Sequence, residues 1–217
     1  MKRFAFRKLE KWKSNSDRKP LVISGAQQDK RFVSTSVEGV RQARDLRDAF
    51  SWLESAGLAY RVWNVTKSAL PLAAYHNHLF KFFGVDVGLL AAQAAVPAKA
   101  ILEGSRLFTE YKGALTEQYV QQELRAACGF LPYYWSQSDS QAEMDFVIEG
   151  EDGPVPIEAK AERNIRAKSL SVFRKKFSPP ISVRTSLSSY ARSDGLIDLP
   201  LYALATLEKE ISAGSNC

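Results

Sequence analysis

The sequence predicts an α/β fold of the α+β kind, on three observations. From Lys112 onward, stretches with helical spacing of apolar residues exchange with short runs of strand character. Two of those runs, 144–148 and 155–160, are joined by Glu-Gly-Glu-Asp-Gly-Pro, a turn signal between strands. Hydrophobic residues make up 45% and charged residues 25% of the 217, ordinary values for a chain that folds around a core.

The elements follow in chain order. Val40 to Ala56 carries Ala43, Leu46, Ala49, Phe50 and Leu53 at helical spacing, and Gly57 ends the pattern. Tyr60 to Val65 then alternates as a strand. Beyond Lys112 the order is helix 113–127, strands 133–137, 143–149 and 154–160, helix 167–177, strand 180–187, and a last helix near 201–211.

The strand pair carries the chemistry. Period-2 alternation sends Glu158 and Lys160 to one face of their strand and Ile157 and Ala159 to the other, and the neighbouring strand brings Asp145 beside them. Two close carboxylates repel unless a cation lies between them, and a hard cation such as Mg2+ prefers oxygen ligands. A lysine next to them suits a phosphate or an attacking water, which together is what metal-assisted phosphodiester hydrolysis needs. On the helix ahead, Glu117 falls on the side of Ala114, Val120 and Leu124, while Gln118, Gln122 and Arg125 form a polar arc. A carboxylate among apolar neighbours calls for a metal or a lysine close by. Glu-x-Lys on a solvated sheet face and Glu117 at the margin of the stripe are the competing structural readings.

The order Glu117, Met144-Asp145, Glu158-Ala159-Lys160 resembles the PD-(D/E)XK nuclease superfamily. That resemblance implies a restriction-endonuclease-like mixed sheet flanked by helices. It also implies catalytic roles for Glu117, Asp145, Glu158 and Lys160, with Asp145 and Glu158 as Mg2+ ligands. More narrowly, residues from about 32 onward resemble the uncharacterised carboxy-terminal domain of a prokaryotic family of P-loop ATPases related to AAA+ proteins. The phrases that carry this are Asp48-Ala-Phe-Ser-Trp-Leu-Glu-Ser-Ala-Gly-Leu, Leu70-Pro-Leu-Ala-Ala-Tyr, Phe82-Phe-Gly-Val-Asp-Val-Gly-Leu-Leu, Lys168-Ser-Leu-Ser-Val-Phe-Arg and Leu196-Ile-Asp-Leu-Pro-Leu-Tyr-Ala-Leu. Three regions follow: 1–31, a remnant of an ATPase amino terminus; 32–111, a small, mostly helical winged-helix-like region; and 112–217, the nuclease-like domain.

Phe4 to Trp12 and Arg18-Lys-Pro-Leu-Val-Ile-Ser-Gly-Ala-Gln-Gln resemble the start of those ATPases, in which a phosphate-binding G-x-x-x-x-G-K-[ST] loop follows. Counted from Gly25, the required Gly-Lys-Ser/Thr falls on Lys30-Arg31-Phe32, so the glycine backbone and the Mg2+-binding hydroxyl are missing. The broken loop argues against ATP as a cofactor and against ATP hydrolysis. A shortened chain of this kind leaves faces that once packed on an ATPase core open to a protein partner or to self-association.

Net charge is +6, unevenly spread. Residues 160–192 hold nine Lys/Arg against one acid, and 1–31 hold ten against three, whereas 32–159 hold ten against sixteen. Arg163, Arg166, Lys168, Arg174, Lys175 and Lys176 follow the candidate strand directly and form a candidate nucleic-acid surface, DNA being the expected partner. A solvated helix face is the alternative. No apolar run approaches the roughly 20 residues of a membrane span, and no signal-peptide pattern opens the chain, so a cytoplasmic location with no membrane partner is expected. His76-Asn-His78 has His-x-His spacing but no supporting ligands, and reads as a polar loop or strand edge. Cys128 reads as a small core residue. Three functions remain in view: a Mg2+-dependent deoxyribonuclease, a noncatalytic nucleic-acid or protein interaction module, and a truncated ATP-binding protein without independent activity.

Overall fold

The computed structural model describes residues 47–93, 106–137, 142–162 and 168–213. The expected remnant at 1–31, the start of the helix expected from Val40, and Arg163 and Arg166 lie outside them. A mixed sheet of eight strands forms the centre, its strands lying side by side in the order 76–84, 59–65, 133–136, 143–150, 153–159, 182–186, 196–200 and 191–193.

The chain enters through α1 (Arg47–Ser55), whose Ala49, Phe50 and Leu53 are buried, and turns at Gly57 with φ +66. Strand β1 (Ala59–Val65) pairs antiparallel with β2 (His76–Gly84), the edge of the sheet, and α2 (Val87–Gln93) follows. The expected mostly helical region therefore contributes its anticipated helix and strand plus a second strand, and both strands extend the same sheet. Phe80 and Phe82 lie against Phe50, and Phe80 against Trp63, on one side of this hairpin, while Lys81 and Phe83 alternate to the other.

Helix α3 (Arg106–Ala126) leads into the meander β3 (Tyr133–Ser136), β4 (Glu143–Gly150) and β5 (Gly153–Ala159). Helix α4 (Lys168–Phe177) crosses over to β6 (Ser182–Ser186), which runs parallel to β5. Residues 191–200, given no element by the sequence reading, form the hairpin β7 (Ala191–Ser193) and β8 (Leu196–Pro200). Its two-residue turn is Asp194-Gly195, both at positive φ, the conformation that matches the twist of paired strands. The expected last helix begins as a 3-10 stretch at Leu201–Thr206 and becomes α5 at Leu207–Ser212.

Two apolar clusters sandwich the sheet. Val120 and Leu124 of α3, with Leu204, Leu207 and Ile211, cover Phe146, Ile148, Val155, Ile157, Val183 and Ile197. Leu170 and Phe173 of α4 cover Trp135, Met144 and Val147 on the other side. Alternation accounts for this division on every strand except β4, where Met144 and Phe146 lie in opposite clusters. There the register with β3 slips: Tyr133 pairs with Val147, but Trp135 pairs with Met144. One extra residue on β4 makes a bulge at Asp145-Phe146, a device that re-aims a side chain.

Candidate functional site

Asp145 owes its position to the bulge. The antiparallel ladder between β4 and β5 runs from Gly150 opposite Gly153 to Phe146 opposite Ile157, and stops there. Beyond that pair the Asp145 side chain takes over from the ladder: the Ala159 N–H donates to Asp145 Oδ2 at 2.9 Å. Asp145 is buried, 4% exposed.

Glu158 and Lys160 meet as the alternation predicts, with Lys160 Nζ in an ion pair with Glu158 Oε1. The lysine side chain is about a third exposed while the glutamate is buried. Glu158 Oε2 is also buried, without a hydrogen-bond partner among the described residues. Ile157 and Ala159 enter the core under α3, so Glu158 and Lys160 project toward the α4 side. In register beside Glu158 lie Arg184 on β6 and then Asp198 on β8. Arg184 Nε and Nη2 donate to the two carboxylate oxygens of Asp198 at 2.6 and 2.7 Å.

Glu117 is buried, as its place on the apolar side of α3 predicts. Its partner is a residue the sequence reading missed. Lys81 of β2 is 1% exposed, and its Nζ lies 2.8 Å from Glu143 Oε1, 3.6 Å from Glu117 Oε2 and 5.1 Å from the centre of the Tyr134 ring. Burial pulls the Lys81 pKa down, but Glu117, Asp145 and Glu143 raise it, and the net result lies above the ordinary 10.5. The ammonium therefore stays charged at neutral pH. Sequence held one signal for it: in Leu79-Phe-Lys-Phe-Phe83 the lysine occupies the same alternating side as Phe83, which packs against Phe146 in the core.

Gln118 departs from the polar arc expected of it. It is buried and pairs with the edge strand, accepting from Gly84 N–H at 3.0 Å and donating to Gly84 O at 2.7 Å. Gln122 likewise accepts from Val87 N–H at 2.9 Å. The arc is a seam that docks α3 on the β2–α2 connection.

Of the expected basic surface, Lys168, Lys175 and Lys176 are exposed. Lys176 lies 5.2 Å from the Trp135 ring and 5.3 Å from the Phe177 ring, leaving a cation beside an aromatic pair. Arg174 is half-buried and donates to the Asp194 carbonyl, closing the β7–β8 turn. His76 and His78 sit on edge strand β2, and no group of three or more His, Cys, Asp or Glu able to hold a metal occurs among the described residues. Cys128 lies just past the end of α3, half-buried, its thiol donating to Leu204 O at 3.4 Å.

Residues 112–204 match DUF4143, a domain of unknown function. The matched segment contains Glu117, Asp145, Glu158 and Lys160 and leaves Lys81 outside. No curated protein matches the chain, and no solved structure matches it. No helix among the described residues is long and apolar enough to cross a membrane.

Proposed function

We propose that the chain is a PD-(D/E)XK nuclease-like protein whose Asp145, Glu158 and Lys160 carry out Mg2+-dependent hydrolysis of DNA phosphodiesters. The observation that carries this reading is Glu158 Oε2, a buried carboxylate oxygen with no hydrogen-bond partner among the described residues, one strand away from Asp145. Such an oxygen is costly unless a cation or donor meets it. Mg2+ commonly uses one or two carboxylates and fills its remaining positions with water and phosphate oxygens. Asp145 and Glu158 fit that modest demand as the residues that would hold it. A bound divalent cation supplies neutralisation of phosphate charge and a more acidic water.

The chain's own groups do the rest. The Ala159 N–H donates to Asp145 Oδ2 and fixes the orientation of that carboxylate. Lys160 pairs with the buried Glu158, but its own ammonium is about a third exposed and so within reach of a phosphate oxygen from solvent. A cation on the Glu158 carboxylate would take over the charge that Lys160 now balances. Lys168, Lys175 and Lys176 add charge that holds a polyanion by counterion release. Support for the AAA+-related carboxy-terminal reading is the DUF4143 match together with the phrases quoted from the sequence.

The test is cleavage of single- and double-stranded DNA and RNA in Mg2+ or Mn2+ by the full chain, by Asp145→Asn and by Lys160→Ala. Cleavage lost in both variants supports the reading. Absence of cleavage, or cleavage that survives both substitutions, overturns it. The second reading, a noncatalytic interaction module, is favoured by one observation: Lys81 and Lys160 already provide cations to Glu117, Glu143 and Glu158. Salt-sensitive binding unchanged by the same two variants, without turnover, selects it.

A further inference from the structure

Three neighbouring strands place charges of alternating sign in one row. Glu158 on β5, Arg184 on β6 and Asp198 on β8 are in register, Glu158 beside Arg184 and Arg184 beside Asp198. The residues just before them, Ile157, Val183 and Ile197, all enter the core under α3, so the three charged side chains project together from the other face of the sheet. Strands lie about 4.8 Å apart on either side of β6, so both acids are cross-strand neighbours of the arginine. The arginine nevertheless turns to one of them. Its Nε and Nη2 donate to Asp198 Oδ1 and Oδ2 at 2.6 and 2.7 Å, the bidentate fork that suits a guanidinium. No ion pair joins Arg184 to Glu158 among the described residues, and Glu158 Oε2 is buried without a hydrogen-bond partner there. Arg184 has another tie within the protein; what Asp198 sets is the direction of its Nε–Nη2 edge. A buried carboxylate oxygen left open one strand from a guanidinium is costly, and turning the arginine to it would remove that cost.

We propose that Asp198 is a positioning residue: by holding the Nε–Nη2 edge of Arg184 on its own side, it keeps the guanidinium off Glu158 and leaves Oε2 open to a cation. This role deepens the nuclease reading and rests on it for the identity of what meets Oε2. That Asp198 turns Arg184 away from Glu158 is a matter of geometry and stands on the pairing alone. Lys160 takes the other oxygen, Oε1, from a partly exposed position, whereas the Arg184 side chain is only 15% exposed and would occupy Oε2 from within the sheet. A charge-assisted hydrogen bond of that kind has to break before a cation can enter. Arg184 is therefore a competitor built into the row, and Asp198 restrains it.

Two measurements on the full chain test this, and neither reads activity. Wild type, Asp198→Asn, Arg184→Gln and the double variant Asp198→Asn/Arg184→Gln are compared, with Asp198→Thr as a second way to remove the carboxylate in a residue that suits a strand. In crystals of either Asp198 variant grown without divalent cations, Arg184 Nε or Nη2 is expected about 2.7–2.9 Å from Glu158 Oε2. In calorimetric titration with Mn2+, loss of the Asp198 carboxylate should weaken binding about tenfold or more, because the new hydrogen bond must first break. Arg184→Gln alone should leave the affinity within about threefold of wild type, since the guanidinium is not on Glu158 there, and the double variant should return to that level. A role in stability alone would not move Mn2+ affinity in this conditional way. Arg184 remaining on the β8 side in both Asp198 variants overturns the proposal. So does an Arg184→Gln effect of the same factor with and without Asp198, the mark of a charge felt at a distance and not of a competitor. Wild type binding no Mn2+ would sink the Asp145–Glu158 cation reading, and the direction of Arg184 in the crystals would still decide the role of Asp198.

Discussion

Replacing Asp145 separates its structural role from its chemical one. The Ala159 N–H has lost its ladder partner at the bulge and depends on Asp145 Oδ2 at 2.9 Å, in a place where Asp145 is only 4% exposed. Asp145→Ala strands that donor. A hydrogen bond to a charged acceptor contributes about 1.5–3 kcal/mol, and a buried donor left without a partner costs a similar amount, so a loss of about 2–3 kcal/mol is expected. Asp145→Asn keeps a carbonyl oxygen in the same position and gives up only the charge, a loss of about 1 kcal/mol. Lys81 retains Glu117 and Glu143 in either variant. Urea unfolding followed by tryptophan fluorescence measures both, the midpoint falling with an unchanged m-value if the native fold persists. Equal destabilisation by Asn and Ala, or none by Ala, would refute the hydrogen-bond account. The difference also selects the variant for cleavage assays: loss of activity in Asp145→Asn reports chemistry, whereas in Asp145→Ala it is mixed with unfolding.

Phe173 is fully buried and meets Trp135 and Phe177 at ring-centroid distances of 5.3 and 4.8 Å, so Phe173→Ala should cost about 3–5 kcal/mol, read by the same urea titration. Changing Lys168, Lys175 and Lys176 together to Ala should lower the unfolding free energy by no more than about 1 kcal/mol, most of it from the Lys176 contacts with Trp135 and Phe177. The same triple change should make the salt dependence of DNA binding shallower by up to about 3 in log–log slope, measured by fluorescence anisotropy. Burial pushes the Cys128 thiol above its ordinary 9.0, with Glu123 and Glu208 adding to the shift. In a Cys217→Ser background its alkylation rate should therefore rise only above pH 9. A group held protonated in the fold contributes stability that is complete below its unfolded pKa and lost as pH climbs through the folded one, so any stability from Cys128 fades on the alkaline side.

The strands and helices from Lys112 to Phe177 were legible because their signals are local. Gly150 to Pro154 marks a turn, Glu158 and Lys160 alternate with Ile157 and Ala159, and Leu170 and Phe173 repeat at helical spacing. Glu117 was legible as a buried acid from its side of the helix. Its partner was not, since Lys81 lies 36 positions away on a strand whose polar start, His-Asn-His, conceals the aromatic alternation that follows. Gln118 resembled a solvated residue because periodicity cannot distinguish a polar face in water from one that donates and accepts along a strand edge. The bulge at Asp145-Phe146 escaped for a similar reason: only the partner register of β3 reveals it. The hairpin β7–β8 had a sequence signal in Asp194-Gly195, but its strands of three and five residues are too short for alternation to stand out.

The proposal that Asp145 and Glu158 share one divalent cation is tested most directly by crystals of the chain soaked in Mn2+ and measured at the manganese absorption edge. An anomalous peak within coordination distance of one oxygen each of Asp145 and Glu158, about 2.0–2.3 Å, is expected. No peak there would contradict it.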